Sequence, residues 1–123
     1  MTMSHVRLEL GRTKEHPAGS PNHGYILHVP LNADGLIDVD RWRANKKFCT
    51  VTRFWEGEGD DHGHLIHTRR GAWAFSYEPG EDDDEPIYHL ENHPLHQGEY
   101  VTIRETDGEA YPFKVVSVRS SAA

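Results

Sequence analysis

Apolar and polar residues take turns along most of this chain, and that alternation limits its fold more than any other feature. Val6, Leu8 and Leu10 are separated by Arg7 and Glu9, and Trp73, Phe75 and Tyr77 by Ala74 and Ser76. Side chains two apart share a face of an extended strand. Each run therefore reads as a strand with one buried face. Phe48–Trp55 has the β-branched and aromatic content that suits a pleated surface. By these rules strands are predicted over 6–10, 25–29, 48–55, 63–68, 72–77, 87–90, 100–105 and 110–119.

Turn chemistry divides them. Residues 12–24 are polar with two prolines, and 79–86 form a charged loop around Asp82-Asp83-Asp84. Both read as loops. Asp107-Gly108 marks a hairpin between the last two strands. A change of inward parity from Phe113 and Val115 to Val116 and Val118 predicts a bulge near Val115-Val116. One short helix is predicted over 39–44, capped by Asp38, and residues 120–123 are expected to fray. Eight short strands in 123 residues point to one all-β, mainly antiparallel domain spanning 1–123. Its form is a closed or partly open barrel, or a bent sandwich, with one short helix.

Composition narrows the partners. Thirteen Lys and Arg stand against twenty Asp and Glu, a net charge of −7, which argues against duplex DNA. Residues 1–55 carry eight bases and five acids, and the remainder five bases and fifteen acids. No run approaches the roughly 20 apolar residues of a membrane-spanning helix. Cys49 is alone, so no internal disulfide forms and a cytoplasmic location is the expectation.

Ten histidines are the compositional anomaly. His62 and His64 lie on one face of an extended segment and His67 on the other. His89 and His93 follow near Glu91. An H-x-H pair with a later His could present three imidazoles to a divalent transition metal, Zn²⁺ or Fe²⁺. The pair is similar to the His-x-His element of metal-binding β-barrels of the cupin type, and that resemblance implies a metal-dependent enzyme. It covers His62 and His64 alone, because Thr68, Arg69 and Arg70 stand where that family carries its Glu. The expected metal ligands are thus His62, His64, His89 and His93.

A second constellation is basic and aromatic: Arg41-Trp42-Arg43, then Lys46-Lys47-Phe48, with Trp55 beyond. Cations that neutralise phosphates beside rings that stack on bases are how single-stranded nucleic acid is held. Glu81–Glu85 lacks the alternating ligands and central Gly of a calcium loop. No nucleophile elbow, phosphate loop or dinucleotide fingerprint occurs. The leading expectation is therefore a non-catalytic β-module that binds another protein or a small molecule. Its expected contacts are Arg41, Trp42, Arg43, Trp55, Trp73 and Tyr77. Metal binding and single-stranded nucleic-acid binding are the alternatives.

Overall fold

The computed structural model describes residues 2–67, 73–76, 85–88, 94–104 and 109–122. Its strands are β1 (Thr2–Leu10), β2 (Ser20–Val29), β3 (Thr50–Trp55), β4 (Asp61–His67), β5 (Trp73–Ser76), β6 (Glu85–Tyr88), β7 (Tyr100–Arg104) and β8 (Ala110–Ala122). Each pairs antiparallel with the next, and β8 returns to β1, so the ring is closed. Of the expected architectures the closed barrel is the one formed, and closure removes the open edges that invite foreign pairing. Among the described residues β6 meets β7 through Ile87 and Tyr88.

Strand parity places the core. Val6, Leu8 and Leu10 of β1, Tyr25, Leu27 and Val29 of β2, and Phe113 and Val115 of β8 are all buried. The Tyr25 ring lies 4.9 Å from Phe75 and 5.1 Å from Phe113, a spacing at which tilted aromatic pairs attract. Each large apolar side chain hidden this way contributes about 1.5–3 kcal/mol. Gly24 lets β1 and β2 approach closely, because a Cβ there would run into the Leu8 carbonyl oxygen and the Phe54 ring.

Two bulges shape the wall. On β8, Arg7 pairs with Ser117 and Leu8 with Val115, which leaves Val116 as the extra residue. That is the bulge the parity change predicts. On β2, Glu9 pairs with Gly24 but Leu10 with Ser20, so Pro21, Asn22 and His23 are looped out against β1. His23 nevertheless pairs with Trp55 on the other side.

The expected 12–24 loop therefore ends early, at Gly19, because a bulge reconciles Pro21 and Asn22 with a strand. The expected frayed tail is also corrected, since β8 runs to Ala122 and pairs with Thr2 and Met3. Of the expected acidic loop, Glu85 and Pro86 open β6, and 79–84 lie outside the described residues. So do 106–108 of the expected hairpin turn and 105 just before it, while the flanking strands pair through Arg104 and Ala110.

The helix forms where expected, as α1 (Val39–Ala44), with Asp38 Oδ1 accepting from Arg41 N at 3.1 Å. A 3-10 turn over Lys46–Phe48 then delays the start of β3 to Thr50 and leaves Phe48 52% exposed. Ile37, Trp42 and Leu95 join the core here, and Leu95 N donates to Gly35 O at 2.8 Å. Gly35 needs its positive φ of 83°, with the His96 ring where a Cβ would stand. Among the described residues no helix is long and apolar enough to cross a membrane.

Candidate functional site

The Trp42 ring ties α1 to the barrel. The Trp42 indole Nε1 donates to Leu65 O at 2.9 Å, and the ring meets Trp73 edge-on at 5.2 Å. Leu65 N donates to Cys49 O. An extended residue points its N–H and C=O to the same side, so the indole occupies the ladder position that β3 vacates by starting late.

Asn45 links helix to 3-10 turn, its Nδ2 donating to Arg41 O at 2.8 Å. Lys46 and Lys47 are thereby carried alongside β4. The Lys46 ammonium sits 5.0 Å over the Trp42 ring and that of Lys47 5.1 Å over Phe48.

Between these elements lies a groove of about 470 Å³, lined by Trp42, Lys46, Lys47, His64, Leu65, Ile66 and His67. Its floor is apolar and its rim carries two ammonium groups and an imidazole. Among the described residues no carboxylate lines it. Among the described residues neither lysine is ion-paired, whereas Arg41 lies 3.6 Å from Asp38 and Arg43 3.5 Å from Asp40. His67 lies on the face of β4 opposite His62 and His64, as expected, and that face turns inward, placing its ring 4.4 Å from Trp73 and 5.7 Å from Trp42. The groove thus joins the basic-aromatic stretch to His64 of the H-x-H pair, segments that sequence alone did not connect.

The other expected site residues scatter. His62 and His64 share the outer, exposed face of β4, and His62 Nδ1 is 3.2 Å from Thr52 Oγ1. His89 and His93 lie outside the described residues, as does Tyr77. Among the described residues no three His, Cys, Asp or Glu side chains gather to hold a metal ion. Trp42 and Trp73, expected as contact residues, are core residues, 6% and 1% exposed, and Trp42 also lines the groove. A bulky ring at an inward parity gains most by filling the barrel. Arg41 and Arg43 remain exposed on the helix.

Trp55 belongs to a different cluster, at the end of the barrel where β3 leaves. The Arg53 guanidinium is 4.4 Å over its ring and the His23 ring meets it edge-on at 4.4 Å. Ser20 Oγ and His23 Nδ1 share a 2.6 Å hydrogen bond. Arg53 is buried and loosely paired with Glu58 at 3.6 Å and Asp61 at 3.7 Å. Burial holds the His23 pKa below the usual imidazole value, and the charges of His16 and Arg53 act the same way against Glu56 and Glu58.

Sequence reasoning missed this cluster. The available signal was a cation at Arg53, at the same parity as Val51 and Trp55. Two other groups are shifted by burial. The Cys49 thiol is pushed up to about 11, a buried and unreactive sulfur. His28 is lowered by burial and by the stacked His5 ring 4.4 Å away, against a hydrogen bond to Phe48 O.

Compared with family models, with curated proteins and with solved structures, the chain matches none.

Proposed function

We propose that this chain is a non-catalytic binding module whose small-molecule ligand occupies the groove between α1, the 3-10 turn and β4. One observation carries the reading: a groove whose apolar lining includes Ile66 and the edge of Trp42 carries a few polar side chains, Lys46, Lys47 and His64. Small-molecule sites are built that way, with apolar area supplying affinity and sparse polar groups fixing orientation. The groove also stands on rigid supports, since Trp42 and Leu65 are both buried and bonded to each other.

The alternatives have less beneath them. Of the four histidines offered as metal ligands, the two described ones face outward without a third partner among the described residues. For single-stranded nucleic acid, Trp42 is buried under Lys46 and has no open face for a base to stack on.

A screen of small fragments followed by amide chemical shifts tests the proposal. Hits are expected to move Leu65, Ile66, Lys46 and the Trp42 indole N–H together. Hits that move only residues around Trp55, or that scatter over the surface, would refute it.

A further inference from the structure

We propose that the groove selects a molecule with an apolar, ring-sized body and one anionic group, a carboxylate or a phosphate monoester, held by Lys46 and Lys47. The proposal rests on the groove being the ligand site and adds what that site chooses.

The charge pattern carries it. The chain has a net charge of −7 and so repels anions at long range. Yet the ammonium groups of two consecutive lysines line one groove with no carboxylate beside them among the described residues. The neighbouring arginines answer Asp38 and Asp40 on their own helix, so the local acids are already engaged. The ammonium groups of Lys46 and Lys47 instead rest over the Trp42 and Phe48 rings, held by the rings and not by a carboxylate among the described residues.

A ligand lying on Ile66, which shares the outer face of β4 with His64, would bring its head group toward those ammoniums and the exposed His64 imidazole. Lysines act as compact point charges and lack the planar fork by which arginine recognises one oxyanion geometry. The inferred preference is accordingly for charge beside an apolar body, shared by carboxylate and phosphate monoester. The two differ in magnitude, since a phosphate monoester carries about −1.5 to −2 near neutrality.

Three probes of one shape test this: 2-naphthoate, 2-naphthyl phosphate and the uncharged 2-naphthylmethanol, titrated while the Leu65, Ile66 and Trp42 indole resonances are followed. Both anions are expected to bind roughly five- to tenfold more tightly than the alcohol at low salt, with the gap narrowing as salt screens the rim. A larger gap for the phosphate identifies a phosphate monoester as the source, and equal gaps a carboxylate. The double variant Lys46→Met, Lys47→Met keeps the apolar stems and should bring all three probes to the alcohol's affinity. An unchanged melting temperature verifies its fold.

Equal binding of alcohol and anions at these resonances would overturn the anion preference and leave the groove as the ligand site. No movement of these resonances with any probe would overturn both.

Discussion

Trp42→Phe removes the indole N–H and keeps a ring, which separates an anchor from a mere contact. In the native chain that N–H donates to Leu65 O at 2.9 Å, and Leu65 is 2% exposed, so water cannot readily replace the donor. A buried carbonyl stripped of its partner costs about 1–3 kcal/mol. The smaller ring also gives up part of its edge contact with Trp73, worth about 1 kcal/mol.

The expected loss is therefore about 2–4 kcal/mol, a large share of the 5–15 kcal/mol that typically separates folded from unfolded domains. At roughly 4 °C per kcal/mol for a domain of this size, the melting temperature should drop by about 8–16 °C. Urea unfolding measures it directly, through a lower midpoint at unchanged slope. A loss below about 0.5 kcal/mol, the range of ordinary surface substitutions, would show that the indole N–H does not hold the helix to β4.

Three further outcomes are expected. Gly24→Ala drives a methyl into the Leu8 carbonyl oxygen and the Phe54 ring and should cost more than about 3 kcal/mol. Gly57→Ala, at φ +84° with open space around it, should cost only the backbone strain of about 1–2 kcal/mol. Equal losses in urea unfolding would contradict the close approach of β1 and β2.

Stability should decline on acidification. The His23 pKa is lowered in the fold, so as pH falls below 6.5 the unfolded chain takes up its proton first. The contribution is fully present above 6.5 and is lost as pH falls toward the depressed folded value. His23→Gln should flatten that slope between pH 7 and 5, and an identical slope would remove His23 as its source. Finally, Cys49 should resist a thiol reagent in native buffer and react fully once unfolded, because burial both hides it and keeps it protonated. Rapid native labelling would contradict the burial of Cys49 between the 3-10 turn and β3.

Much of the barrel was legible because alternation states which residues share a face. It yielded the shared face of Val6, Leu8 and Leu10, the inward Phe113, and the parity break near Val115-Val116 that became a bulge. Asp38 announced its helix because a carboxylate ahead of an apolar-periodic run satisfies an unpaired N–H. Alternation does not say which of two faces is inside when both carry polar atoms. His62 and His64 turned outward because Gly63, Leu65 and His67 took the interior.

Pro21 and Asn22 imitated a loop, since local propensity cannot see the β3 partner that holds His23 in register. The groove itself was out of reach. It depends on α1 and β4 meeting through Trp42 and Leu65, 23 positions apart, and no local pattern specifies such a meeting.

The seam between β1 and β8 sets how this chain reaches its final form. It joins Thr2 to Ala122 and Val6 to Val118, partners separated by almost the whole sequence, so a large loop must close before those bonds repay it. Until then β1 presents an open edge whose register fits any β8. In a concentrated refolding mixture a β8 from another copy satisfies the same pairs. Strand exchange between molecules is thus the natural wrong turn for this barrel, and dilution its remedy.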